Sequence, residues 1–187
     1  MPEPAGTYSI EAFDPDRHNR TDFSCGLERI DNYLKRTARK HEEDDFTRLF
    51  VAVRPGLDRV LGYYTLNAHI LIGDGLPDAL SRRAPRYGIP AAYLSMLGVD
   101  RTEQGRGLGR ILLVNALRRL LDASGSIGLK ALLLDIVDDD GPEAYAHRLK
   151  FYQSMGFLSF PDRESRMFLL LDTIRKAFTN SSGAHGQ

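Results

Sequence analysis

The run Gln104-Gly105-Arg106-Gly107-Leu108-Gly109 has the residue types and spacing to hold an anion. It follows an apolar stretch, Tyr93-Leu-Ser-Met-Leu-Gly-Val99, and opens an amphipathic one that begins at Ile111. That order reads strand, glycine-rich turn, helix. Glycines let the backbone approach a bulky ligand without Cβ clashes. The unpaired N–H groups of a new helix then point at the ligand, and the helix dipole favours negative charge. The pattern predicts a pyrophosphate cradle, with arginine charge from Arg106 and Arg110 beside it. A dinucleotide fingerprint requires Gly-x-Gly-x-x-Gly, and the third glycine here has the wrong spacing. A Walker A loop requires Gly-Lys-Ser/Thr, and Arg110-Ile111 stands there instead.

Downstream, Phe151-Tyr-Gln-Ser-Met-Gly-Phe157 brings a phenol into an aromatic setting. Taken together, Gln-x-x-Gly-x-Gly and Phe-Tyr-x-x-x-Gly-Phe resemble the two signatures of the GCN5-related N-acetyltransferases (GNAT). The resemblance implies acetyl-CoA as cosubstrate and direct transfer to a primary amine. It implies cofactor contacts from Gln104, Gly105, Arg106, Gly107, Gly109 and Arg110, and backbone pairing of Leu97 and Val99 with the pantetheine arm. A bulge near Gly98 would splay two strands and admit the cofactor. Tyr152 would protonate the departing thiolate, a task within reach of a phenol. No general base stands out: His69, Asp135 and His147 are candidates, and each also reads as an ordinary structural or solvated residue. Asp138-Asp-Asp140 with Glu143 lacks the spacing of a calcium loop and reads as a solvated acidic loop, so no metal is expected.

The N-terminal half carries a narrower resemblance. Phe23-Ser-Cys-Gly-Leu-Glu-Arg-Ile-Asp-Asn-Tyr-Leu34, Gly62-Tyr-Tyr-Thr-Leu66 and Ile89-Pro90 are similar to a GNAT subgroup that includes toxins of toxin–antitoxin pairs. That subgroup acetylates the aminoacyl group of charged tRNA, and its partners are usually ribbon-helix-helix antitoxins. The similarity implies both partners, and it allows a homodimer. Two departures stand against it: Met96-Leu-Gly-Val99 lacks an arginine common in the toxins, and the acidic loop would repel a phosphate backbone. Arg82, Arg83 and Arg86, in a loop before the cradle strand, are the candidate tRNA contacts. The acceptor therefore stays open between charged tRNA and a small-molecule or protein amine. A non-catalytic acyl-CoA-binding protein is the remaining alternative.

The elements that must position these residues follow from periodicity. Residues 7–178 read as one domain, with 1–6 and 179–187 as flexible termini. Strands are expected at Thr7–Phe13, Phe46–Val53, Val60–Ile72, Ala91–Val99, Lys130–Val137 and Arg166–Leu171. Helices are expected at Gly26–Lys40, Gly107–Ala123, Pro142–Met155 and Leu171–Phe178, with one helical turn at Ala79–Arg83. Leu27, Ile30, Leu34 and Ala38 should face the core. The fold class is α/β (α+β): a mixed, mostly antiparallel central sheet, helices on both faces and a splayed central strand pair. Lys+Arg 25 against Asp+Glu 25 gives a net charge of +0, which lowers the expectation of a dedicated nucleic-acid binder. One cysteine excludes an internal disulfide, and no apolar run approaches the about 20 residues of a membrane span. No secretory pattern opens the chain, so a cytoplasmic location is expected.

Overall fold

The computed structural model describes residues 8–73 and 76–183. Thr7, the first terminus at 1–6 and positions 184–187 of the second lie outside the described residues. The strands are β1 (Ser9–Ala12), β2 (Arg48–Val53), β3 (Gly62–Leu71), β4 (Ile89–Val99), β5 (Ala131–Asp135), β6 (Leu158–Phe160) and β7 (Arg163–Leu170). The helices are α1 (Glu28–Asn32), α2 (Ala38–Glu43), α3 (Asp78–Ser81), α4 (Leu108–Ser124), α5 (Pro142–Ser154) and α6 (Leu171–Gly183). The strands hydrogen-bond in the order β1-β2-β3-β4-β5-β7-β6. The chain divides into two compact units, Met1–Asn67 with Leu94–Ala116, and Ala68–Tyr93 with Leu117–Gln187.

In the first unit, β1, β2 and β3 form an antiparallel meander, with Phe50 opposite Ala12 on one side and Tyr64 on the other. Leu49, Val51, Ala52 and Val53 are buried, as are Tyr63 and Tyr64 of β3. The helix expected from Gly26 is present but not uniform. A π-helical turn, Tyr33–Thr37, joins α1 to α2, and the Ala38 N–H bonds the Tyr33 carbonyl. The reason is the spacing of the buried residues. Ile30, Leu34 and Ala38 recur every fourth residue, whereas a regular helix turns every 3.6. A wider turn keeps all three on one line facing the core. Leu27, at the helix start, is only half-buried.

Gly98 of β4 is glycine because of crowding and not because of its backbone angle. It is absent from the left-handed glycines, and a Cβ there would meet Ile30 Cγ2 at 2.9 Å, Tyr63 Cε1 at 3.1 Å and Phe23 Cζ at 3.2 Å. Close packing by itself therefore requires a glycine at this position of β4. Gly62 of β3 is constrained the same way, by Leu112 Cδ1 at 2.9 Å and the Gly98 carbonyl at 3.2 Å.

In the second unit, β5 is buried along Ala131–Leu134, as its unbroken apolar run predicts. Its parallel ladder with β4 covers Ala91–Tyr93, while its antiparallel ladder with β7 continues through Asp135, opposite Arg166. The strand pair parts at Tyr93, which is the splay expected of this fold. Leu80, Ile89, Ala91, Leu133, Phe160 and Phe168 pack into one apolar cluster. Strand β6 is missing from the sequence reading. It is three residues long and turns at Pro161-Asp162 into β7, which begins earlier than the apolar run suggests. Helix α6 runs beyond the expected Phe178 to Gly183.

Gly98→Ala should destabilise the protein by about 1–3 kcal/mol, the usual effect of overpacking a core. A shift of the urea midpoint with an unchanged slope is the expected readout.

Candidate active site

The glycine-rich turn is held by two buried carboxylates that sequence reasoning passed over. Asp100 follows β4 and caps a short 3-10 turn at Arg101–Glu103. It accepts from the Thr102 hydroxyl at 2.6 Å, the Thr102 N–H at 3.0 Å, the Ser24 N–H at 3.1 Å and Arg59 at 3.3 Å. Glu103 accepts from the Tyr8 hydroxyl at 2.7 Å and Arg54 at 2.9 Å, with Arg106 at 3.8 Å. Burial alone would raise both carboxyls. At Asp100 it is outweighed by Thr102, Ser24 and Arg59, and at Glu103 by Tyr8, Arg54 and Arg106, so both lie below the ordinary carboxylate range. The legible signal was Asp100-x-Thr102, an N-capping arrangement.

Gln104 closes the same loop. Its side-chain amide donates to the Cys25 carbonyl at 2.8 Å and the Val99 carbonyl at 3.0 Å. The amide of this signature residue is thus engaged by the protein itself, tying the turn to the end of β4. The Phe23–Gly26 segment is the other anchor: the Arg101 N–H bonds the Ser24 carbonyl, and the Arg101 guanidinium lies 3.2 Å from a Cβ built on Gly26. The Cys25 thiol is held in its protonated form. Burial and Asp31 push it up to about 12.

Gly105 and Gly107 adopt φ of 74° and 85°, where other residues are strained, and nothing lies within 4 Å of a Cβ at either. The turn is open on that side. Helix α4 begins directly after it, with the first bond from the Ile111 N–H to the Gly107 carbonyl. The amides of Leu108, Gly109 and Arg110 therefore have no acceptor inside the helix. Arg106 and Arg110 are exposed at this end. Leu97 and Val99 are half-buried on β4. Expected cradle residues 104–110 are thus gathered into one loop and helix start, with the chemistry of an anion site.

Tyr152 belongs to the second unit, in the last turns of α5. Its ring makes edge contacts with Phe151 at 5.1 Å and Phe157 at 5.7 Å between centroids. The Phe157 N–H bonds the Tyr152 carbonyl, and Gly156 takes the φ of 91° that folds the chain back. The signature Phe-Tyr-x-x-x-Gly-Phe is therefore a helix end wrapped around one phenol. Burial pushes that phenol up to about 12, against a smaller opposing pull from Arg148. It stays protonated at neutral pH, and its hydroxyl has no hydrogen-bond partner among the described residues. Arg148 binds Asp140 and the Val137 carbonyl, so the acidic loop is partly neutralised from within.

Of the candidate bases, His147 is exposed on α5. Asp135 is committed to other work. Arg166 grips it through Nε at 3.0 Å and Nη2 at 2.8 Å, and Tyr93 donates to it at 2.8 Å. Burial would raise Asp135, but Arg166 and Tyr93 outweigh it, and it lies below the usual range. His69 of β3 lies with its ring 5.6 Å from that of Tyr93. Arg82, Arg83 and Arg86 are exposed in the loop after α3, beside Tyr87, and have no carboxylate partner among the described residues. Among the described residues no group of three or more His, Cys, Asp or Glu is placed to hold a metal ion, and no helix is long and apolar enough to cross a membrane.

A model of the acetyltransferase (GNAT) family matches residues 17–157. The chain belongs to this family. Among GNAT proteins it is 38% identical, over 89% of its length and 92% of the relative's, to a probable toxin TacT of Sinorhizobium fredii. It is 37% identical, over 75% of its length and 82% of the relative's, to a tRNA-acetylating toxin of Mycobacterium tuberculosis. Among solved structures it resembles the toxin AtaT. A Tyr→Phe mutant of AtaT bound to the C-terminus of the antitoxin AtaR and acetyl-CoA matches with a TM-score of 0.76 at 26% identity, over 92% of this chain and 98% of that one. AtaT complexed with acetyl-methionyl-tRNAfMet matches with a TM-score of 0.79 at 25% identity, over 92% of this chain and 99% of that one. This GNAT chain thus falls in the toxin-type branch, as Phe23–Leu34 implied, and acetyl-CoA is the family's cosubstrate.

Gly107→Glu should weaken acetyl-CoA binding by ten-fold or more, about 1.4 kcal/mol, because a carboxylate would sit where the phosphates approach and a side chain would strain the turn. Isothermal titration with acetyl-CoA measures it.

Proposed function

We propose that this GNAT enzyme moves the acetyl group of acetyl-CoA directly onto the α-amino group of the amino acid carried by charged tRNA, as the toxin of a toxin–antitoxin pair. The observation that carries the reading is the 38% identity to a probable TacT toxin across nearly the whole of both chains. The tRNA-acetylating relative and the AtaT complexes with acetyl-CoA, antitoxin and acetylated methionyl-tRNA support the same reaction and an antitoxin partner. A substrate of this kind puts the enzyme in the cytoplasm.

In this reading the amides at the start of α4, with Gly105, Gly107 and Gly109, hold the pyrophosphate, and Arg106 and Arg110 add charge. Backbone groups of Leu97 and Val99 pair with the pantetheine arm. The amine attacks the thioester carbonyl, a C–N bond forms and the C–S bond breaks. Tyr152 donates to the sulfur as negative charge develops there. Its high pKa suits a donor that remains protonated, and its two phenylalanine neighbours hold the ring in one orientation. Arg82, Arg83 and Arg86 contact the tRNA backbone. A small-molecule or protein amine has less support. The acidic loop that favoured it binds Arg148 through Asp140, which reduces the charge it presents.

Tyr152→Phe should lower kcat on charged tRNA by about 10²-fold or more while leaving acetyl-CoA affinity unchanged. A variant that keeps its turnover removes the phenol from the chemistry. The combined change Arg82→Glu, Arg83→Glu and Arg86→Glu should raise KM for charged tRNA by about ten-fold or more, and more at low salt, with little effect on acetyl-CoA. An unchanged KM would place the tRNA elsewhere.

A further inference from the structure

The transfer releases a proton from the amine, and the groups described so far supply no acceptor for it. We propose that His69 accepts this proton, and that Tyr93, Asp135 and Arg166 are the positioning residues that fix its ring. The inference rests on the acetyltransferase reading and applies to whichever amine the enzyme uses.

The cluster lies within one unit and is assembled from four strands. His69 comes from β3, Tyr93 from β4, Asp135 from β5, and Arg163 and Arg166 from β7. Its base is rigid. The two hydrogen bonds from Arg166 to Asp135 form a planar fork, and the Tyr93 hydroxyl closes on the same carboxylate. Arg163 approaches Asp135 at 3.5 Å from the surface. Tyr93 is therefore pinned at its hydroxyl, and its ring offers a fixed surface to the imidazole at an interplanar angle of 33°. Tyr93 is also the residue at which β4 leaves β5, on the strand assigned to the pantetheine arm.

Burial and charge in the cluster keep His69 at rest in the neutral form that can accept a proton. The groups facing it are Arg166, Asp135 and Tyr93. Burial, then Arg166, disfavours the imidazolium, and Asp135 offsets this only in part, so the ring rests below its ordinary pKa and neutral at pH 7. Asp135 cannot serve instead, because three donors already stabilise its charged form. In the complete step the amine nitrogen bonds the acetyl carbon and gives its proton to His69. The sulfur leaves with a proton from Tyr152, and water returns the proton from His69 to Tyr152. Charge and atoms balance with no further reactant.

The test compares wild type, His69→Gln and His69→Gly by release of coenzyme A with charged tRNA and with free amines, across pH. His69→Gln should lose about 10²-fold in kcat/KM near pH 7 and retain acetyl-CoA affinity. The limb of the wild-type profile that falls below the ordinary histidine range should vanish, leaving only the titration of the amine. Added imidazole should restore part of the activity of His69→Gly, which a merely structural role would not permit. His69→Gln within about twofold of wild type at every pH would overturn the proposal. So would loss of activity that imidazole does not rescue and that is accompanied by loss of acetyl-CoA binding, because His69 would then be structural. Failure of the tRNA reading is separately visible: wild type would then acetylate free amines only, and the variant-to-wild-type ratio would still report on His69.

Discussion

The proposed reaction depends on keeping a helix start open and fixed at once. The first amides of α4 are useful to an anion only while nothing in the protein satisfies them, and a turn so exposed has little packing of its own to hold it. The restraint comes from the flanks. Asp100 and Glu103 are buried in hydrogen bonds before the turn, and Gln104 ties it to Val99 and Cys25. Because both carboxyls are held below their ordinary range, they contribute stability that is present above that range and lost as the pH falls through their lowered values. The cradle should therefore loosen in acid before the apolar core does.

The same bonds explain why two distant stretches of sequence belong together. Phe23-Ser-Cys-Gly26 has no evident chemistry, yet Ser24, Cys25 and Gly26 each meet the loop at 100–104, and Phe23 fills the space beside Gly98. The N-terminal segment acts as a strap on the glycine-rich loop. A small residue at Gly98 is the condition for it, since a methyl group would push the strap and Tyr63 off the strand.

Much of the fold was legible because its signals are local. Alternation and apolar runs located β2 to β5, and the glycine spacing located the open turn and α4. The π-helical turn was not readable, because the four-residue spacing of Ile30, Leu34 and Ala38 is compatible with an ordinary helix until the core is known. Strand β6 escaped because three residues carry too little alternation. At the site, Tyr152 and the cradle glycines stood out by their motif, while Asp100 and Glu103 looked like any acidic loop residues. Their partners, Ser24, Arg59, Tyr8 and Arg54, are far away in sequence. Asp135 and His69 were visible only as isolated candidates; the bonds from Arg166 and Tyr93 that separate their roles are tertiary.

In the proposed reaction the acetyl group ends on the amino acid of charged tRNA. Incubation of wild type with labelled acetyl-CoA and a mixed pool of charged tRNAs, followed by mild alkaline release of the aminoacyl ester, tests it most directly. The label should be recovered as N-acetyl amino acid. Label confined to free amines or peptides, with the tRNA-borne amino acids unmodified, would contradict it.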